Sequence, residues 1–154
     1  MDGVTLTPLK IIPHPSGDVL HGIKSSEDSF TGFGEAYFST VNQGDIKGWK
    51  KHSKMTLNLV VPKGEIQFVI FDDRDKSTTQ GKFMSVSLSL QNYQRLTVSP
   101  GLWVGFKGLS LENILLNIAS IEHNPTEAVN IPLDSLNFNW DLEKKIFEKE
   151  AKKY

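Results

Sequence analysis

The sequence predicts an all-β domain, on three observations. Short β-prone runs recur along the 154-residue chain, glycine- and proline-containing turns punctuate them, and one run alternates strictly between apolar and polar residues. This is the pattern of a β-sandwich or a β-barrel. The predicted strands are 4–12, 18–23, 34–41, 45–52, 55–61, 65–73, 82–90, 94–98, 102–107 and 113–121.

The first two strands flank Pro13-His14-Pro15-Ser16-Gly17, a run that cannot continue a ladder. Asn42-Gln43-Gly44 and Pro62-Lys63-Gly64 predict short hairpin loops in which glycine supplies a positive φ. Arg74 to Gly81 and Ser99-Pro100-Gly101 separate the later strands. Over 82–90, Phe83, Ser85, Ser87 and Ser89 oppose Met84, Val86, Leu88 and Leu90, which predicts one wet and one buried face. Leu57 to Val61 and Ile114 to Ile118 are apolar on both faces and predict strands deep inside or at a subunit interface. The tail from Asp141 is lysine- and glutamate-rich, with Asp141 placed to cap a short C-terminal helix over 142–154. No repeat or second composition regime appears, so 1–154 reads as a single domain, its β structure running from about 18 to 141.

Composition excludes several classes. The net charge is −1, from 17 basic and 18 acidic residues, which provides no electrostatic footprint for nucleic acid or a membrane surface. There is no cysteine, so neither disulfides nor thiolate chemistry is available. Residues 1–12 lack the charged-then-apolar pattern of a signal peptide, and no apolar run approaches the length of a membrane span. The expectation is a soluble, cytoplasmic protein.

The stretch from Asp45 to His52 is the anomalous one. As a regular strand it places Ile46, Gly48, Lys50 and His52 on one face and Lys47, Trp49 and Lys51 on the other. Each face then carries a cation beside a large apolar side chain. A solvated edge strand and a polar pocket inside a barrel both account for that.

The segment from Asp72 to Phe106 bears on the choice. Asp72, Arg74, Ser77, Thr79 and Gly81 match D-x-R-x-x-S-P-T-[FY]-G. Leu88, Ser89, Asn92, Leu96, Val98, Gly101, Gly105 and Phe106 match L-S-x-x-N-x-x-x-L-x-[IV]-P-x-G-x-x-x-G-F. Gly64-Glu65, Asn124-Pro125 and Asn139-Trp140 add further matches, and together they span roughly 35–141. The chain thus resembles the dTDP-4-dehydrorhamnose 3,5-epimerase family. Lys47-Gly48-Trp49-Lys50-Lys51-His52 is also similar to the R-G-x-H-x-H strand of the related dTDP-sugar 3,4-ketoisomerases.

The resemblance implies a cupin jelly-roll β-barrel whose mouth binds a nucleotide-linked 4-keto-6-deoxy sugar, usually in a homodimer. It implies an epimerase or isomerase of surface polysaccharide (lipopolysaccharide) biosynthesis. Such chemistry needs a base for an acidic α-proton, an acid on the opposite face and a group that steadies the enolate oxygen. Lys50 stands where the epimerases carry their catalytic histidine, and His52 lies one repeat further along the same face. An ungapped alignment puts Asn117 at the catalytic tyrosine, and no match to the family's supporting aspartate is found. A cupin that has lost catalysis and binds a sugar nucleotide or a partner enzyme is therefore the alternative.

The candidate catalytic residues are His52, Lys50 and Tyr37, the last as a phenol offered from another strand. His52 reads equally as a surface histidine among Lys51, Ser53 and Lys54, and Lys50 as a solvated lysine. Lys47 is the candidate diphosphate contact. Asn58 and Asn117, amides within apolar strands, are candidate ligands for substrate oxygens. Trp103, or Trp49, is a candidate stacking platform, and Glu35 a possible partner for His52. No cofactor is expected. No metal is expected either, because the H-x-H pair of metal-binding cupins is interrupted by Lys50.

Overall fold

The computed structural model describes residues 1–141. The strands, in chain order, are β1 (Val4–Pro8), β2 (Ile11–Ile12), β3 (Val19–Leu20), β4 (Glu35–Thr40), β5 (Ile46–His52) and β6 (Leu57–Lys63). They continue with β7 (Glu65–Phe71), β8 (Phe83–Ser89), β9 (Gln94–Val98), β10 (Trp103–Gly108), β11 (Ile114–Ala119) and β12 (Ala128–Asn130). Two five-stranded sheets form, ordered β1-β9-β6-β11-β4 and β12-β5-β10-β7-β8, while β2 and β3 make a separate two-stranded hairpin. Every pairing between these strands is antiparallel.

The main core lies between the sheets. Leu57, Leu59 and Val61 of β6 meet Ile66, Phe68 and Ile70 of β7, with Leu88, Leu96, Val98 and Leu102 completing the layer. A second cluster covers the outer face of the other sheet, where Trp49, Val69 and Trp103 are packed under Ile131, Leu136, Phe138 and Trp140. Lys107, also on that face, holds this covering segment by donating to the Trp140 carbonyl (3.3 Å) and to Asp141 (3.2 Å). β7 is therefore apolar on both sides because both sides are covered.

Several expectations need correction. The sheets do not close into a barrel: β4 and β12 end their respective sheets without pairing to each other. The cleft described below is lined from both of these edges, by Tyr37 and Ser39 of β4 and Asn130 of β12. The predicted strand 4–12 is divided, since Pro8 has no N–H to carry the ladder on. β12 went unpredicted because three residues show no alternation. Its existence comes from pairing with β5. The expected helix over 142–154 lies outside the described residues. The helical element found before it is a 3-10 turn at Leu133–Ser135.

Candidate active site

The strand β5 forms one wall of the site, and its backbone is irregular. Opposite β10, Lys50 pairs with Val104 while Lys47 pairs with Phe106. Three residue steps on β5 thus match two on β10, which is a β-bulge. The extra residue reverses the alternation, so that Lys47 turns inward to join Lys50 and His52 rather than pointing away. Glycine permits this contact. A Cβ at Gly48 would stand 2.8 Å from the Gly105 Cα, and one at Gly105 would meet the Trp49 ring at 3.0 Å. Trp49 is driven to the opposite face, where it is fully buried and its ring centroid lies 5.4 Å from that of Trp140.

Between the sheets this wall borders a cleft of about 360 Å³. Lys47, Gly48, Lys50 and His52 line it from β5, Val104 and Phe106 from β10, and Asn130 from β12. Facing them are Tyr37 and Ser39 of β4, Leu57 and Leu59 of β6, and Leu115 and Asn117 of β11. The base of the cleft is apolar and its two walls are polar, the composition of a site that holds and orients a small molecule.

His52 is 7% exposed and its Nδ1 is hydrogen-bonded to Oε1 of Glu127, itself 5% exposed. The other carboxylate oxygen of Glu127 accepts from the backbone N–H groups of Lys54 (3.0 Å) and Met55 (3.2 Å). Burial pushes this carboxyl up, but the bonds from His52 and the two amides outweigh it and hold the group below its ordinary value. The carboxylate thus stays ionised and fixes the ring, leaving Nε2 as the free nitrogen. Glu127 was missed from sequence, since 75 residues separate it from His52. The available signal was its place beside Asn124-Pro125: Asn124 accepts from Thr126 N (3.0 Å) and from Glu127 N (3.1 Å), forming the turn that presents the carboxylate.

On the opposite wall Tyr37 pairs directly with Asn117 across the β4–β11 ladder. The Asn117 Nδ2 donates to the Tyr37 hydroxyl (3.0 Å), and its Oδ1 accepts from Asn58 N (3.2 Å). The phenol is thereby held beside position 117. Lys47 Nζ donates to the Thr40 carbonyl (2.7 Å), which fixes it at one end of the cleft.

Asn58, Trp103 with its alternate Trp49, and the suggested partner Glu35 are not in the cleft. Asn58 is fully buried on the other face of β6, where it accepts from Thr97 Oγ1 (2.8 Å) and donates to the Ile118 carbonyl (3.2 Å). Its neighbours Leu57 and Leu59 take the inward positions by strict alternation. Trp103 belongs to the second cluster, with its indole N–H bonded to Asp73 (2.8 Å) and Lys51 Nζ lying 4.5 Å from its ring centroid. Glu35, on β4, pairs with Ala119 of β11, and the carboxylate partner of His52 is Glu127 instead. Among the described residues no group of three His, Cys, Asp or Glu side chains comes together.

The matched Asp72 motif organises the loop behind β7. Buried Asp72 receives a bidentate pair from Arg74 (2.9 Å each), the Ser77 hydroxyl (2.5 Å) and the Thr79 hydroxyl (2.6 Å). Arg74, first among these donors, holds the carboxyl far below the carboxylate range, against a smaller opposing effect of burial.

The family model described as dTDP-4-dehydrorhamnose 3,5-epimerase matches residues 25–153. The chain belongs to this family. A dTDP sugar isomerase from Desulfovibrio desulfuricans has the same fold with a TM-score of 0.88 and 36% identity, over 92% of each chain. The probable low-salt glycan biosynthesis epimerase Agl13 of Haloferax volcanii is 28% identical over 70% of this chain and 73% of its own. The spore coat polysaccharide biosynthesis protein SpsL of Bacillus subtilis is 26% identical over 93% of this chain and 98% of its own. More distant members share the fold: an epimerase from Legionella pneumophila in complex with dTDP-4-keto-L-rhamnose has a TM-score of 0.80 at 22% identity.

Proposed function

We infer that this protein is an isomerase that moves a proton on a carbon next to the ketone of a dTDP-linked 4-keto-6-deoxy sugar. The observation that carries the reading is the pairing of two walls. His52, fixed by buried Glu127, faces across one cleft the Tyr37 phenol, fixed by Asn117. His52 Nε2 takes the α-proton, and Glu127 stabilises the imidazolium that results. Tyr37 returns a proton from the other face, so the carbon inverts. The family's tyrosine position holds Asn117 here, and Asn117 bonds the phenol that its neighbouring strand supplies. Lys47, anchored at one end of the cleft, meets the diphosphate as a point charge. Lys50, between Lys47 and His52 on the same wall, lies at the ketone.

The likeness to proteins of glycan and spore-coat polysaccharide biosynthesis supports a role in making surface polysaccharide, here read as lipopolysaccharide built from a cytoplasmic sugar nucleotide. Phe33 and Phe38, both more than 60% exposed beside β4, support a homodimer through that edge. Sedimentation at micromolar concentration then shows a two-chain species, and a single-chain species overturns the dimer.

Incubation with dTDP-4-keto-6-deoxyglucose in D2O is the test of the reaction. Deuterium is expected at the carbon next to the ketone, and His52→Ala is expected to lose it. Binding of the sugar nucleotide without any exchange would identify a protein that recognises the ligand but performs no proton transfer, and would sink the isomerase reading.

A further inference from the structure

Lys50 is the residue of the cleft whose chemistry the proton-transfer scheme leaves unused. Its side chain enters from the same wall as His52, two residues away and on the same face. Its cross-strand neighbours are neutral on both sides, Val104 on β10 and Asn130 on β12. Among the described residues the cleft lining contains no aspartate or glutamate. The nearest carboxylate built into the site, Glu127, is committed to His52 and two backbone amides. Among the described residues Lys50 makes no ion pair, whereas Lys51, Lys63 and Lys107 each do. An amine with no carboxylate partner among the described residues, against an apolar base and beside the proposed general base, is the arrangement of a lysine that attacks carbonyl carbon.

We propose that Lys50 captures the keto group of the substrate as an imine. This rests on the isomerase reading above and deepens it. The Nζ lone pair adds to the ketone carbon. The carbinolamine takes up one proton from solvent and loses the ketone oxygen as water, leaving a protonated C=N bond; the proton is returned when the iminium is hydrolysed. The cationic nitrogen then takes the electron pair when His52 removes the α-proton, giving an enamine. Protonation on the other face from Tyr37 restores the iminium, and water hydrolyses it to the ketone product and free Lys50. Water lost in the first half is regained in the second, and no oxidant or reductant is consumed. An iminium is a stronger electron sink than a hydrogen-bonded ketone, which accounts for a lysine in place of a charge-stabilising donor.

The test uses the full chain with dTDP-4-keto-6-deoxyglucose and sodium cyanoborohydride, which reduces iminium ions in preference to ketones. The expected result is an intact-mass gain equal to the sugar nucleotide less one oxygen atom, mapped to the peptide containing Lys50. In H2 18O without reductant, the product ketone oxygen is expected to become labelled once per turnover, faster than in enzyme-free solution. Lys50→Arg is expected to abolish both signals and to slow α-deuterium exchange by roughly a hundredfold or more. Thermal stabilisation by dTDP reports whether that variant is folded. Deuterium exchange by the parent protein without adduct and without excess 18O overturns the imine and leaves the isomerase standing. Absence of deuterium exchange overturns both. Adduct on another lysine, with Lys50→Arg still exchanging, overturns the assignment to Lys50.

Discussion

The proposed role of His52 requires a ring held in one orientation, and the residue that holds it is Glu127. Replacing His52 by alanine removes the proposed base and is expected to lower α-deuterium exchange by about 10²–10⁴-fold. The dTDP-induced rise in Tm should remain. Glu127→Ala acts differently, because it strips the partner from His52 and leaves the N–H groups of Lys54 and of buried Met55 without their acceptor. A loss of about 1–3 kcal/mol in stability is expected in urea unfolding, together with a lower kcat. Glu127→Gln keeps an acceptor for the amides but cannot stabilise an imidazolium, so most of the stability should return while kcat stays low. A Glu127→Gln protein with the parent's kcat would show that the carboxylate is purely structural. The family pattern singled out position 52, whereas Glu127 had only the neighbouring Asn124-Pro125 turn as a signal, and a turn does not name a partner 75 residues away.

At the scale of the element, β5 is decided by its bulge. Alternation from the sequence put Lys47 on the far face with Trp49, and the mismatch of three residues against two turned it into the cleft. Gly48 and Gly105 are the residues that let the backbones approach. Gly48→Ala forces a Cβ to within 2.8 Å of backbone, so β5 must shift or β10 must yield. The expected outcome is a loss of about 1–3 kcal/mol and a raised KM for the nucleotide sugar as Lys47 leaves its place. An unchanged KM would separate Lys47 from the diphosphate. The loop from Asp72 to Gly81 is the opposite case: its motif was legible as a block, and the structure shows the whole block serving one buried carboxylate. Asp72→Asn leaves Arg74 without its bidentate partner, and a loss of about 3–5 kcal/mol is expected in denaturant unfolding.

For the whole molecule, acid stability follows from the two buried carboxylates. Both Asp72 and Glu127 have folded-state values depressed below their ordinary ones. A depressed carboxylate binds fewer protons in the folded state, so its stabilisation is fully present above the unfolded value of about 4 and is lost as pH falls below it. Chemical unfolding should therefore show stability that is flat near neutrality and falls steadily below about pH 4, and Asp72→Asn should flatten that acid limb. Ligand linkage offers a second check: dTDP at about a hundred times its Kd adds about 2.7 kcal/mol, a rise of roughly 5–10 °C in Tm for a domain of this size.

The sequence by itself determined the all-β class, most strand positions, the family and one wall of the site. Those properties are written in local signals: alternation, turn residues and motif blocks whose spacing survives without knowledge of contacts. Only the tertiary structure decided that Glu127 meets His52, that Lys47 faces inward, that Asn58 and Trp103 lie outside the cleft, and that the sheets stay open between β4 and β12. Each depends on register or on pairing between distant segments, where one residue of slip reverses the face a side chain presents.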